Sequence, residues 1–124
     1  MIVVAIIGIL FAIALPSYQN YVLRGHRADA QSMLIDIAAR QERFLSQSNT
    51  YTTEISAATG LNLGTSNSRE GYYSLEVEAC PAGSLAICYL VTATALGGQT
   101  KDTDCLKITY DSRGVRSGTT PNCW

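Results

Sequence analysis

The chain contains one histidine, His26, and no charged residue before position 24. A single imidazole leaves little for acid–base or nucleophilic chemistry, because no other general base of that kind is available. His26 belongs to a helical stem, where a solvated or interface role is expected rather than a catalytic one. No glycine-rich phosphate loop and no pair of acids spaced for catalysis stands out. Asp102-x-Asp104 lacks the remaining ligands of a calcium loop and reads as a solvated turn. No enzyme activity, cofactor, bound metal or small-molecule substrate is therefore expected. With a net charge of −1 the chain also lacks the basic excess that drives association with nucleic acid. No internal repeat or linker divides its 124 residues, so one domain is expected.

What is present is unevenly distributed. Charged residues make up 15% of the chain against the usual quarter, and the apolar share of 47% excludes a disordered protein. All nine Lys/Arg and all ten Asp/Glu lie at 24–124, which on its own approaches ordinary soluble composition. Residues 1–15 read MIVVAIIGILFAIAL, apolar everywhere except Gly8. As a helix this run is roughly 22 Å long, shorter than the ~30 Å of a bilayer interior. A secretory signal would match its apolar core and the small residues around Ala12-Ile13-Ala14, but the run has no basic residues before it. A buried core helix would need a partner surface on every side. Part of a membrane span needs only a few more apolar residues, and this reading is preferred. Tyr18 and Tyr21, three apart just beyond the run, suit the membrane–water boundary, although Tyr21 fits packing on a sheet equally well.

Helical periodicity continues beyond the run. Ala30, Met33, Leu34, Ile37, Phe44 and Leu45 recur at three- and four-residue steps. Opposite them fall Arg24, Arg27, Asp29, Asp36, Arg40 and Glu42, with Asp36 and Arg40 spaced as an i,i+4 pair. Residues 1–46 are thus expected to form one long helix, about 69 Å if straight. Its first half is apolar all round and its second half along one stripe. Pro16 removes a backbone hydrogen bond and Gly8 lowers helix propensity, so a kink or break is expected at Gly8 and Pro16.

The segment MIVVAIIGILFAIALPSYQNYV, residues 1–22, resembles the N-terminal segment of type IV pilins. The resemblance implies an α+β fold: a long N-terminal helix packed on a three- to four-stranded antiparallel sheet. It also implies a basic leader removed by a prepilin peptidase, leaving an N-methylated Phe followed four residues later by a Glu, all upstream of Met1. Met1, Ile2, Val3, Val4, Ile6, Ile7, Ile9, Leu10, Phe11, Ile13 and Leu15 would then lie first in the bacterial inner membrane and afterwards in the core of a filament. The corresponding division places a hydrophobic half-helix at 1–23 and a globular domain at 24–124.

Within that domain, 47–71 is polar and rich in Ser, Thr, Asn and Gly, and reads as a long loop with a short helical turn at 53–59. Strand-like alternation follows, with Tyr73, Leu75, Val77 and Ala79 on one face. The turn at 81–84 leads to a second strand at 85–95. Gly97-Gly98-Gln99 breaks that strand, and 105–111 alternates again with Leu106, Ile108 and Tyr110 inward. The turn at 112–114 precedes a short strand at 115–116. The sheet is expected within 72–117, with one face laid on the helix.

Four cysteines allow three pairings. Cys80 and Cys88 flank the first turn, which suits a bridge across that hairpin. Cys105 and Cys123 would then close the segment 105–123, as one disulfide does in many pilins. A zinc site is disfavoured by the absence of a C-x₂-C pair. Disulfides imply an oxidising compartment outside the cytoplasm. Trp124 is expected to pack over the last bridge.

The resemblance implies a subunit that polymerises with copies of itself and with other pilins into an extracellular helical filament for adhesion, twitching motility or DNA uptake. Some minor pilins of the family bind DNA, and here Lys101, Lys107, Arg113 and Arg116 are the candidate contacts. Asp102, Asp104 and Asp111 lie among them, so no uncompensated stripe is visible in the sequence. Host surfaces are further candidate partners, and a pseudopilin of a type II secretion system is the remaining alternative. Arg24, His26 and Arg27 follow the apolar run on the side assigned to the exterior, opposite to the usual charge bias of membrane helices.

Overall fold

A computed structural model describes all residues, 1–124. One helix, α1, spans Ile2–Ser48. Four strands follow: β1 (Tyr73–Ala79), β2 (Tyr89–Ala95), β3 (Lys107–Asp111) and β4 (Arg116–Gly118). They form an antiparallel sheet in the order β1-β2-β3-β4. Every connection is to the next neighbour, as expected when short loops join successive strands.

The helix is held on the sheet by its second half only. Ala30, Met33, Leu34, Ile37 and Gln41 are its buried residues, on one stripe. They meet the inner face of the sheet, with Tyr73, Leu75 and Val77 of β1, Tyr89, Val91, Ala93 and Ala95 of β2, and Ile108 of β3. Tyr51, Ile55 and Leu61 of the loop before β1 and the half-cystines Cys105 and Cys123 complete the core. Ala79, at the end of the same β1 face, is half-buried. The register Val77↔Val91↔Tyr110 places these apolar positions side by side. The helix ends where Asn49 adopts a left-handed conformation, φ 56°, and its N–H donates to the Leu45 carbonyl at 2.8 Å. Asparagine tolerates this geometry better than most residues.

The break expected at Gly8 and Pro16 is absent: α1 runs continuously through both. Proline deletes a single N–H donor, and intact turns on either side are enough to carry the helix across the gap. The helical turn expected at 53–59 is also absent. That stretch is irregular, bonded as a loop by Gly60 N–H to Ala57 O and Leu61 N–H to Glu54 O. A side chain at Gly60 would run into the Glu54 carbonyl, so the loop closes tightly there. Further on, the loop flanks β1, with Asn67 and Ser74 forming a bridge and Leu75 N–H donating to Ser66 O at 2.6 Å.

Strand edges differ from the sequence expectation in three places. β2 begins at Tyr89 rather than at 85, because the N–H groups of Ile87 and Cys88 both turn back to Ser84 O. β3 begins at Lys107 rather than at 105, because Thr103–Cys105 forms a 3₁₀ turn in which the Cys105 N–H donates to Asp102 O. β4 occupies Arg116–Gly118 rather than 115–116, because Val115 N–H is taken by the Asp111 carboxylate.

Candidate functional site

Three regions concern function: the bare half of α1, the junction where that half meets the globular head, and the far end of the sheet.

The bare half is exposed throughout. Residues 1–21 all lie open, and even Ile7, the most covered of the large apolar side chains, keeps 47% of its surface. All eleven apolar residues expected to serve membrane or filament core, from Met1 to Leu15, belong to this exposed surface. Monomeric soluble proteins rarely present such a continuous patch, so the segment requires lipid or other apolar chains around it. The helix contains a window long and apolar enough to cross a membrane, by length and composition.

At the junction, the loop after β2 reaches back to the stem. A 3₁₀ turn at Gly97–Lys101 places Gln99 in a buried position, where its Nε2 donates to Leu23 O and to the Tyr73 hydroxyl, both at 3.0 Å. A third acceptor, Asp102 Oδ2, lies 3.3 Å from the same nitrogen. These acceptors identify Nε2 as the amide nitrogen and Oε1 as the acceptor, so His26, whose Nδ1 lies 2.9 Å from Oε1, carries its proton on Nδ1. The His26 ring also stacks on Tyr72, centroid to centroid at 3.6 Å. At the next position, Arg27 meets Asp102 through two bonds of 2.7 Å. Arg27 further donates to Asn122 O, and Gln31 to Cys123 O, so the C-terminus is tied to the stem as well.

Asp102 therefore corrects the solvated turn expected for Asp102-x-Asp104: it is 6% exposed and paired. The Asp102 hydrogen bond raises the Arg27 guanidinium above its ordinary value, although burial works the other way. Burial pushes the Tyr73 phenol up, partly offset by its bond to Gln99. Neither Gln99 nor the Arg27–Asp102 pair could be read from the sequence, since the partners lie 73 to 76 positions apart.

The candidate cations do not converge. Lys101 lies at the junction, beside Tyr18 and Asn20. Lys107 opens β3, opposite Thr94. Arg113 sits in the β3–β4 turn and binds the Asp111 carboxylate through Nε at 3.0 Å and Nη2 at 2.7 Å. Arg116 pairs with Tyr110 in the sheet, so the pleat sets it on the face opposite to Lys107. Its guanidinium lies over Trp124, 5.1 Å from the ring centre. Trp124 also packs against Tyr110 and donates from Nε1 to Ser117 O at 2.8 Å. Lys101 and Lys107 thus occupy the stem-proximal end, and Arg113 and Arg116 the far end, about 13 Å away along β3.

Asp111 organises that far end. Burial works to raise its pKa, but the N–H groups of Val115 and Arg113 and the Arg113 guanidinium outweigh it and hold the carboxyl below the usual range. Both disulfides are formed: Cys80 with Cys88 across the β1–β2 connection, and Cys105 with Cys123 at the head of β3. No cysteine is free.

Residues 16–109 match the model of a family described as type IV minor pilin ComP, DNA uptake sequence receptor. The chain belongs to this family of type IV pilins. Among solved structures, a type IV pilin from Shewanella oneidensis is similar, with 27% identity, covering 82% of this chain and 97% of that one at a TM-score of 0.58. The pilin described here is accordingly a type IV pilus subunit, and its family and fold are those of structural proteins. The match includes the second half of α1, the junction, Lys101 and Lys107, whereas Arg113 and Arg116 lie beyond it.

Proposed function

We propose that the pilin is held in the inner membrane by the half-helix 1–23, with the head, 24–124, outside, and is then drawn into a helical filament of pilin subunits. The observation that carries this reading is the completely uncovered apolar stem joined to a head that has closed its own core. Leaving lipid for a bundle of like helices exchanges one apolar environment for another. The hydrophobic term then changes little, and close packing decides. Repetition of one head-to-tail contact builds an open filament rather than a ring. Adhesion and twitching are roles such a filament would serve.

The test is sheared filaments. Antibody to the full chain should find it in purified extracellular fibres, as a dominant or a trace component. If deletion of its gene left fibres and DNA uptake intact but stopped protein secretion, the pseudopilin alternative would replace this reading.

A second role is favoured by the family match, whose description names a DNA uptake receptor. In this reading the head binds DNA, with Lys101, Lys107, Arg113 and Arg116 supplying phosphate contacts, while Asp111 reduces what Arg113 contributes. Gel shifts with the detergent-solubilised full chain should weaken steeply as salt rises. Neutralising Lys101 and Lys107 together, and Arg113 and Arg116 together, divides the two ends of the sheet. If neither pair alters binding or transformation, these cations do not carry the contact.

A further inference from the structure

We infer that the junction cleft binds the head group of an anionic phospholipid while the subunit is in the membrane, with Lys101 as the cation that holds the phosphate. The inference rests on the membrane-held precursor proposed above.

The cleft is about 420 Å³ and lies between the stem and the loop after β2. One wall comes from the stem, with Tyr18, Asn20 and Leu23; the other comes from the head, with Tyr72, Gly98 and Lys101. The depth of this cleft is set by the stem. Residues 1–15 are apolar, 16–23 carry no charge, and Arg24 is the first ion, so the boundary between hydrocarbon and water falls at about 16–21. A cleft that begins at Tyr18 therefore opens at the level of the lipid phosphates. Lys101 belongs to a residue 83 positions further along the chain than Tyr18, and only the fold returns it to this level.

The charges agree. A smaller adjoining cleft is shared by Arg24, Lys101, Asp104 and the Arg27–Asp102 pair. Arg27 and Asp102 neutralise each other at 2.7 Å. Arg24 and Lys101 then face one acid, Asp104, which leaves a net positive rim. Apolar surface from Val22, Leu23 and the tyrosine rings continues downward into the bare stem, offering a path for an acyl chain. A free anion would use the ammonium and ignore that apolar path; a phospholipid uses both. The arrangement also gives the exterior cations a use: Arg27 is consumed inside the protein, and Arg24 and Lys101 serve the outer head groups.

The test reconstitutes the full chain in nanodiscs of phosphatidylcholine containing a minority of phosphatidylglycerol, followed by native mass spectrometry of the released protein. Wild type should retain phosphatidylglycerol well above its share in the disc. Lys101→Gln should reduce that enrichment about fivefold, the effect of one interfacial cation. Arg43→Gln, an exposed position near the C-terminal end of α1, should leave it unchanged. Lys101 is exposed, so its loss does not endanger folding. Retention of the two lipids in proportion to their abundance overturns the inference, as does enrichment that survives Lys101→Gln. Enrichment abolished by inorganic phosphate also overturns it, since the site would then be a plain anion site. A chain that does not enter the discs overturns the membrane-held precursor and this inference together, whereas entry without enrichment overturns this inference alone.

Discussion

The Arg27 guanidinium and the Asp102 carboxylate meet through two hydrogen bonds of 2.7 Å, with both side chains almost wholly removed from solvent. This pair fastens the stem to the loop that follows β2. It also makes each partner dependent on the other, because a buried charge left alone cannot recover its hydration.

Asp102→Asn should therefore cost about 3 kcal/mol of stability, and Arg27→Met a similar amount. The double variant Arg27→Met with Asp102→Leu should cost much less than the two single losses combined. Urea unfolding of the detergent-solubilised chain, followed by the fluorescence of Trp124, measures each. Additive losses would show that the pair is not coupled.

Acid should weaken the far end of the sheet. Asp111 has a folded pKa below its unfolded value, so its contribution is present above about pH 4 and is lost as pH falls through the lowered folded value. Asp111→Asn should reduce stability at neutral pH and flatten the acid limb of the stability curve. Denaturant midpoints for both chains across the acid range check this. An acid limb of unchanged steepness in the variant would assign the effect elsewhere.

Alkali acts on the core. Burial raises the phenols of Tyr51, Tyr73 and Tyr89, most strongly at Tyr89. For these groups the stabilising contribution is complete below about pH 10 and disappears as pH rises through the folded values. Their phenolate absorbance should appear only together with unfolding. Replacing each by Phe in turn identifies its share of that late absorbance; a share that titrates before unfolding contradicts the expectation.

The C-terminal bridge is tightly fitted. Joint replacement of Cys105 and Cys123 by Ser should cost about 3 kcal/mol, from the loop of chain they close. Gly118→Ala should also destabilise, by about 1–3 kcal/mol, since an added Cβ would stand 2.8 Å from Cys123 Cβ and 3.0 Å from Lys107 O. Thermal unfolding of both variants in detergent measures these losses. A Gly118→Ala chain as stable as wild type would mean that β4 can shift freely away from the bridge.

The parts legible in the sequence were those governed by local repetition. Ala30, Met33, Leu34 and Ile37 declare their helical stripe by spacing, and Tyr73, Leu75 and Val77 declare a sheet face by alternation. The stem was evident from its lack of charge. The junction was not, because Gln99 and Asp102 have no neighbours in sequence that signal burial; their partners come from α1. Gln41 was hidden for a similar reason. It lies on the apolar stripe, yet it pairs with both backbone groups of Thr52, donating to O at 2.6 Å and accepting from N–H at 3.1 Å. At Pro16 the helix is uninterrupted, since propensity marks where a helix is weakened but not whether the flanking turns hold it together.

The uniformity of the stem limits what it can recognise. Aliphatic side chains carry no directional bonds, so a helix built from Ile, Val, Leu and Ala distinguishes one apolar neighbour from another only by shape. Sliding such a helix by a turn, or rotating it about its axis, exchanges like contacts for like. Within residues 1–23 only shape separates one neighbour or register from another, and among the 124 residues every charged side chain that could add direction lies at or beyond Arg24.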